Sequence, residues 1–213
     1  MALVFHTCDG ITDLSRYKHT ITNVDGAVGK GFIGNGSSAY LNIDSVVSTV
    51  ASDTVGTWMA WGRSVDATPA AFGVFLSFGD TSATEFICMY IQTSGELISS
   101  CFIGGAKQWQ LESDDVVFID NTLIHIAVVQ NGTEPVIYVN GVAVAQTFET
   151  STNKTRWFAN CTNIDNGRIG SLNYGGFGET GLLGGKEDDI RIYNNIFTAD
   201  QIKDYYIRSR GRY

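Results

Sequence analysis

The sequence predicts an all-β protein in which two antiparallel sheets pack face to face as a sandwich, with one short helix near the C-terminus. Nearly every apolar run alternates with other residues at a period of two, which is the pattern of β-strands. Glycine is abundant (24 residues) and proline is scarce (2 residues), as expected for many strands joined by Gly and Asn turns. The length of 213 residues suits one undivided domain over 1–213, and 44% of the residues are hydrophobic, enough for a large core.

The N-terminal half contains six predicted strands, at residues 3–7, 32–43, 57–63, 71–78, 85–92 and 97–103. Asn35-Gly36 interrupts the second of these runs and is a strong hairpin signal. In the third run, alternation places Trp58 on one face and both Met59 and Trp61 on the other.

The runs at 85–92 and 97–103 form a predicted hairpin. With Ser94-Gly95 as a two-residue turn, Cys88 lies opposite Cys101. The two cysteines are then either small buried hydrophobic residues of a reduced protein or the halves of a cross-strand disulfide. The sequence leaves both alternatives open.

The C-terminal half contains seven predicted strands, at residues 106–113, 116–119, 122–129, 135–139, 142–148, 168–171 and 186–193. Asn140-Gly141 predicts a tight turn between two of them. Thr198 and Gln201 have the spacing of a capping box, in which each side chain bonds the backbone of the other residue. Apolar residues from Ile202 onwards follow at helical spacing, so a short amphipathic helix is expected over 198–208.

Two stretches of the chain carry a family resemblance. The first is the closing stretch over residues 184–206, GGKEDDIRIYNNIFTADQIKDYY. The second is a strand meander that contains His125, Ala127, Tyr138, Asn140 and Gly141. Both resemble the laminin-G-like or concanavalin A-like jelly-roll family, over roughly residues 32–206. The chain departs from the family pattern with Glu187 at a usually apolar position and Ile124 in place of a tryptophan. The resemblance implies a jelly roll whose first and last strands pair.

The charge and hydropathy of the chain exclude several classes of partner. A net charge of −8 disfavours nucleic acid, because a phosphate-binding surface needs clustered Lys and Arg. The basic cluster of Arg208, Arg210 and Arg212 is predicted to be a solvated tail. No apolar run approaches the roughly 18 residues of a membrane span, so no membrane contact is expected. No signal peptide is visible after Met1. The chain is therefore expected to be made as a cytoplasmic product or to have lost a leader.

Residues for glycoside hydrolysis are not evident in the sequence. Retaining glycosidases need two carboxyl groups roughly 5–5.5 Å apart. The nearest pattern, Glu112-Ser-Asp114-Asp115, lacks a second Glu and is interpreted as a solvated turn. His125 lies in the meander and is expected to be structural. The sequence therefore predicts that the protein is not an enzyme.

Five residues are candidates for ligand or metal binding. The resemblance implies calcium as the one candidate cofactor, held by loop oxygens, and Asp80 and Asp188 are the candidate metal ligands. The alternative for Asp188 is a structural hydrogen bond. Trp109, Trp157 and Tyr174 are the candidate ligand-binding residues. Both tryptophans lie among polar residues, where the rings could stack on sugars or could instead cover the core from a loop edge.

Three functions are compatible with these features. The first is a structural protein of a virion surface, such as a capsid-decoration or tail-accessory protein, with other subunits as partners in an oligomer. Residues 9–14, DGITDL, resemble the start of some such bacteriophage proteins. The second is a carbohydrate-binding, lectin-like module of a secreted protein. The third, a glycoside hydrolase, is disfavoured by the missing carboxylates. The expected location is accordingly a virion or the extracellular space.

Overall fold

The computed structural model describes residues 3–5, 12–29 and 31–213, and of residues 3–5 it describes the backbone. The strands in the first half are β1 (Leu3–Phe5), β2 (Thr22–Val24), β3 (Ala27–Gly29), β4 (Gly31–Asn35), β5 (Tyr40–Asn42), β6 (Gly56–Ser64), β7 (Gly73–Gly79), β8 (Phe86–Ile91) and β9 (Leu97–Ile103). The strands in the second half are β10 (Ala106–Ser113), β11 (Ile124–Gln130), β12 (Pro135–Val139), β13 (Val142–Ala143), β14 (Gln146–Ser151), β15 (Asn166–Ile169), β16 (Leu172–Asn173), β17 (Glu179–Thr180) and β18 (Gly184–Tyr193). The α-helices are α1 (Val47–Val50) and α2 (Ala199–Ser209).

These strands form two large antiparallel sheets and a small ribbon. Sheet A has the order β13-β12-β11-β6-β18-β4-β3, with β1 also paired to β18. Sheet B has the order β14-β10-β9-β8-β7-β15-β5-β2, and β16 with β17 forms the ribbon. Because consecutive strands often belong to different sheets, the chain crosses repeatedly between the two layers. The predicted all-β jelly-roll sandwich is confirmed.

The main core lies between the inner faces of the two sheets. Trp58, Phe78 and Trp109 are each fully buried there. On β6, Trp58 faces this core, whereas Met59 packs on the opposite side of sheet A. Trp61 also lies on that opposite side, against aromatic rings of the C-terminal segment. The alternation predicted for this strand is therefore confirmed.

Helix α2 covers the outer face of sheet A. Its predicted capping box is present, because the Gln201 backbone N–H donates to the Thr198 hydroxyl at 3.2 Å and the Thr198 N–H donates to the Gln201 side chain at 2.8 Å. Ile202 is fully buried against Met59 and Val129 of the sheet. The helix thereby shields the part of that face around Met59 and Val129 from solvent.

The C-terminal tail is fastened to sheet A, so its prediction as a solvated tail is only partly right. The three arginines are exposed. However, Ser209 is buried, and its hydroxyl accepts a hydrogen bond from the Trp61 indole N–H at 3.0 Å. The Tyr213 ring packs on Trp61 with ring centroids 4.9 Å apart.

The first and last strands pair, as the resemblance implies. Leu3 lies opposite Ile192, and Phe5 lies opposite Ile190, in antiparallel register. Residues 6–11, including the start of the DGITDL segment, lie outside the described residues. Strand β18 is therefore held on one side by β6 and on the other by both β4 and β1.

Two local predictions are wrong. The run at 32–43 is not a hairpin, because β4 belongs to sheet A and β5 to sheet B. The Asn35 side-chain oxygen instead accepts hydrogen bonds from the backbone N–H groups of Ser37 and Ser38, which turns the chain from one sheet towards the other. Residues 116–119 form an irregular segment rather than a strand. Phe118 of that segment closes one end of the core by stacking on Phe75, with centroids 5.3 Å apart.

The predicted register of the cysteine hairpin is also wrong, by one residue. Cys88 lies opposite Ser100, and Cys101 lies opposite Ile87. The Gly95 N–H donates to the Gln92 carbonyl at 3.0 Å, and Gly95 has φ +97°, so the turn has three residues rather than two. A one-residue shift reverses the face of every side chain. Cys101 accordingly faces the core, Cys88 faces outward, and both are free thiols.

In the part of the chain that the structure describes, no helix has the length and apolarity needed to cross a bilayer.

Candidate functional site

The two tryptophans predicted to bind ligand are core residues. Trp109 lies on β10 and is 0% exposed, and Trp157 is 1% exposed. Their rings stack with centroids 6.2 Å apart, and the Trp109 indole N–H donates to the Arg156 carbonyl at 2.9 Å. Their polar sequence neighbours made both positions resemble loop surfaces. That interpretation is wrong, because neither ring offers a face to a ligand.

Tyr174, the third predicted residue, lies at a groove on the outer face of sheet B. The side chains that face the core from β8 and β9 include Ile87, Met89 and Cys101. The alternate side chains therefore point outward. Several of these are aromatic rather than charged, and loop residues add further rings. The groove has a volume of about 240 Å³ and its aromatic lining is Phe72, Phe86, Tyr90, Phe102 and Tyr174.

The aromatic rings of the groove pack against one another. Phe86 and Phe102 face each other across β8 and β9 with centroids 4.5 Å apart and an interplanar angle of 25°. Tyr174 lies 4.7 Å from Phe86, and Phe72 lies edge-on to Tyr90 at 5.5 Å. All of these rings except Phe86 are half-buried, so each keeps part of its surface open to solvent. The groove thus presents a continuous, preformed aromatic surface.

Polar groups are interspersed among the rings. Ser100 and Gln110 lie side by side on β9 and β10, and Gln92 and Lys107 stand at the margins. The Lys107 ammonium lies 5.7 Å from the Phe102 ring centroid. Cys88 lies on the floor, where burial raises the pKa of its thiol to about 12. That thiol stays protonated at neutral pH and is a poor nucleophile.

The β16–β17 ribbon forms one wall of the groove and is anchored by a buried charge network. The Glu179 carboxylate accepts hydrogen bonds from Arg168 Nε at 2.7 Å, Ser171 Oγ at 2.7 Å and Asn173 Nδ2 at 3.0 Å. Arg168 is 6% exposed and also pairs with Asp44. Ion pairs that are largely buried and satisfied by several hydrogen bonds hold a fixed geometry. The ribbon that carries Tyr174 is therefore held in a fixed position.

An acidic depression of about 330 Å³ adjoins the groove along β10. Its lining residues are Glu96, Glu112, Ser113, Asp114, Thr147 and Glu149. The Lys107–Glu149 ion pair, at 2.8 Å, links the depression to the groove. Burial raises the pKa of Glu112, and the neighbouring carboxylates of Glu96, Glu149 and Asp114 raise it further.

Sequence reasoning missed most of this surface. Phe86, Tyr90 and Phe102 were assigned to strands without a binding role. The signal was present in β8, FICMYI, where the residues of both alternating sets are apolar or aromatic although one set faces outward. The clustering of Glu112 with Glu149 could not be found by local spacing, because the two residues come from different strands.

The predicted metal ligands do not form one site. Asp80 follows β7 in sheet B, whereas Asp188 lies within β18 in sheet A. Asp80 Oδ1 accepts from the Ser82 backbone N–H and hydroxyl at 2.8 Å each, and Asp188 Oδ1 accepts from the Asp189 N–H at 2.8 Å. Calcium prefers six to eight oxygen ligands. Among the described residues, no three His, Cys, Asp or Glu side chains are grouped as metal ligands. The two predicted acids therefore do not fit a shared calcium site.

His125 lies far from the groove, beneath helix α2. It is fully buried between Trp61 and Tyr205, with ring centroids at 5.6 Å from each. Burial lowers its pKa to about 4, against an opposing effect of the Asp189 carboxylate. The residue is neutral at pH 7 and inaccessible to a substrate, which agrees with its predicted structural role.

Comparisons with known proteins place the chain in a family. The sequence profile described as the concanavalin A-like lectin/glucanases superfamily matches residues 35–203, which is more than half of the chain. A search of curated protein sequences found no match.

Several solved structures share the fold at low sequence identity. The CBM40 domain of the Ruminococcus gnavus IT-sialidase superposes with a TM-score of 0.69 at 14% identity, covering 88% of this chain and 98% of that domain. The binding domain of botulinum neurotoxin serotype C1 has a TM-score of 0.73 at 12% identity, covering 97% of this chain and 51% of that one. NanB sialidase from Streptococcus pneumoniae has a TM-score of 0.67 at 15% identity, covering 86% of this chain and 27% of the sialidase. Identities this low show a common fold and nothing about ligands. On the family match, the chain belongs to the concanavalin A-like lectin/glucanases superfamily.

Proposed function

We propose that this protein is a non-enzymatic module that binds glycans in the aromatic groove on the outer face of sheet B. The observation that carries the proposal is the set of half-buried rings of Phe72, Tyr90, Phe102 and Tyr174 on that face. Such rings provide flat apolar surfaces for the C–H faces of sugar rings. A concave, largely preformed surface of apolar and aromatic side chains with a few polar groups is the usual character of a ligand site.

The polar margin supports the same function. Gln92, Gln110 and Lys107 supply side-chain donors around the rings, and the two glutamines also supply acceptors. Hydroxyl groups of a sugar need both kinds of partner. The volume of about 240 Å³ is slightly below the roughly 300–1,000 Å³ of pockets for drug-sized ligands, so the groove suits one or two rings of a chain that extends into solvent.

A structural neighbour with the same fold carries a bound glycan. One solved neighbour is the R. gnavus IT-sialidase CBM40 bound to α2,3-sialyllactose, which aligns at 14% identity with a TM-score of 0.68. We extend glycan binding to this chain because the groove offers suitable chemistry, not because of that likeness alone.

A glycan array followed by calorimetry tests the proposal. Tyr90→Ala and Tyr174→Ala should each weaken binding of the best array hit roughly two- to tenfold, since an aromatic contact is worth about 0.5–1.5 kcal/mol and 1.4 kcal/mol is tenfold. Tyr17→Ala is the matched control, because Tyr17 is a partly exposed tyrosine that does not line the groove. Binding that neither groove variant weakens would refute the assignment.

The absence of enzyme activity is part of the proposal. Its support is that the Cys88 thiol stays protonated and that His125 is buried beneath α2. The acidic depression is where hydrolysis would be sought. We expect no release of reducing ends from β-glucans or galactans. Turnover that disappears in Glu112→Gln would instead make this a glycoside hydrolase.

We also propose that the protein is displayed on a virion or another extracellular surface, with neighbouring subunits as partners. The support is the sequence resemblance of residues 9–14, of which 9–11 lie outside the described residues. Capsid or tail genes beside the coding gene, together with assembly on gel filtration, would favour a virion protein. A gene neighbourhood of secreted carbohydrate-active proteins would favour a secreted lectin-like module instead.

A further inference from the structure

The tip of the β16–β17 ribbon carries an exposed aromatic ring beside the groove. The tip reads Gly175-Gly176-Phe177-Gly178. Phe177 is 71% exposed, the highest value among the large hydrophobic side chains that the structure describes as exposed. Its ring lies 5.3 Å from Tyr174, which lines the groove.

The base of the tip is fixed. Glu179 ties the ribbon to Arg168, Ser171 and Asn173, as described above. The backbone N–H of Gly176 also donates to the Thr81 carbonyl at 2.7 Å. Motion of the tip is therefore confined to the residues after this anchor, and the ring stays within reach of the groove.

The tip backbone is held as far as Phe177, whose N–H donates to the Tyr174 carbonyl at 3.0 Å, so movement is left to the Phe177 side chain and the residues after it. Gly176 and Gly178 flank Phe177, with φ values of +77° and +73°, in a region where glycine moves at little steric cost. A Cβ at either glycine would point into open space, since no atom lies within 4 Å. A Cβ at Gly175 would lie 3.1 Å from the Phe177 ring, so the ring folds back over Gly175 in this conformation.

We propose that Phe177 is a further ligand-binding residue of the groove, whose ring turns about its own side-chain bonds and Gly178 to cover a sugar stacked on Tyr174. The inference rests on the proposed function of the groove. A bound sugar ring would then be enclosed between a fixed aromatic surface and a hinged one. The hinged ring slows dissociation, because it must turn away before the ligand leaves.

Fluorescence of a Phe177→Trp variant tests the movement directly. All four native tryptophans are at most 4% exposed, so an indole at position 177 would be the solvent-exposed fluorophore. Titration with the best glycan from the array, with lactose and 3′-sialyllactose as fixed probes, should shift its emission to shorter wavelength. Binding without any shift would show that the ring stays in solvent, which overturns the proposal.

Phe177→Ala supplies the second measurement. Because the side chain is mostly exposed, the melting temperature should stay at the native value. The dissociation rate should rise roughly three- to tenfold with little change in the association rate. Tyr17→Ala serves again as the exposed aromatic control. Loss of binding in Tyr90→Ala with unchanged kinetics in Phe177→Ala would leave the groove assignment intact and refute the role of Phe177. A native protein that binds no glycan refutes both.

Discussion

At the scale of single residues, His125 makes the stability of the fold depend on pH. Both ring nitrogens are buried without a hydrogen-bond partner, and burial lowers the pKa to about 4. The unfolded chain, with a His pKa of about 6.5, binds a proton that the folded chain does not take up until about pH 4. The free energy of unfolding should therefore fall as the pH drops from 6.5 to 4, by roughly 3 kcal/mol from this residue.

Urea unfolding at several pH values measures this effect. His125→Phe keeps a ring among Trp61 and Tyr205 but cannot titrate. Carboxylates also titrate in the acid range. The informative quantity is therefore the difference in the free energy of unfolding between His125→Phe and the native protein. Below pH 6.5 the native protein should lose more stability than His125→Phe, so this difference should increase as the pH falls. A difference that is constant with pH would show that His125 gains a partner on protonation.

The contribution of Glu187 to the stability of the fold has the opposite dependence on pH. Its carboxyl group is fully buried with no hydrogen-bond partner on either oxygen, and burial raises its pKa well above the usual range. The unfolded chain releases this proton above about pH 4.3, whereas the folded chain retains it, so stability falls as the pH rises. Glu187→Met should raise the melting temperature, and by more at pH 8 than at pH 5. Glu134→Met, at a half-buried glutamate whose carboxylate is paired with Lys154, is the control. A lower melting temperature in Glu187→Met would mean that the carboxyl group has a role in the fold.

At the scale of elements, periodicity predicts strands but not their partners. The segments at 106–113 and 135–139 were predicted with the bounds that the structure shows. Asn35-Gly36 and Ser94-Gly95 have the composition of two-residue hairpins, yet the first joins two sheets and the second is part of a three-residue turn. In both places, tertiary interactions determine the conformation of the turn. Side-chain capping by Asn35 and the positive φ of Gly95 depend on where the next strand packs.

The residues of the candidate site were likewise only partly predictable from local sequence patterns. Tyr174 was selected from the sequence because aromatic residues in loops tend to gather at binding surfaces, and it lines the groove. Trp109 and Trp157 were misplaced because polar neighbours in a strand and a tight turn do not report burial. Tyr90 and Phe102 become candidate site residues only once the register fixes which face of β8 and β9 points outward.

The pairing of β1 with β18 makes the N-terminus part of the fold. The register places Leu3 and Phe5 beside the central part of sheet A. Deleting residues 1–8 removes these ladder hydrogen bonds and should lower the melting temperature by several degrees, since about 1 kcal/mol shifts a domain of this size by roughly 2–4 °C. Calorimetry checks the value. An unchanged melting temperature would mean that β1 contributes nothing to the stability of sheet A.

At the scale of the whole molecule, charge should select among glycans. The chain carries a net charge of −8, and four carboxylates line the depression beside the groove. Lys107 is paired with Glu149 and is, among the described residues, the one cationic residue that lines either the groove or the depression. Burial raises the pKa of Tyr90, and Cys88, Glu112 and Glu149 add to the increase, so the carboxylates already act on a groove ring.

An anionic sugar should therefore bind less well than its neutral counterpart, in contrast to the sialyllactose-bound neighbour. We expect lactose to bind this protein more tightly than 3′-sialyllactose at low salt, with the gap narrowing as salt screens the repulsion. Glu149→Gln frees Lys107 and should improve the binding of sialyllactose severalfold while leaving lactose unchanged. Glu134→Gln, which releases Lys154 away from the groove, should change neither. Tighter binding of sialyllactose by the native protein at low salt would show that Lys107 leaves Glu149 to meet the ligand, and that the acidic depression does not set the selectivity.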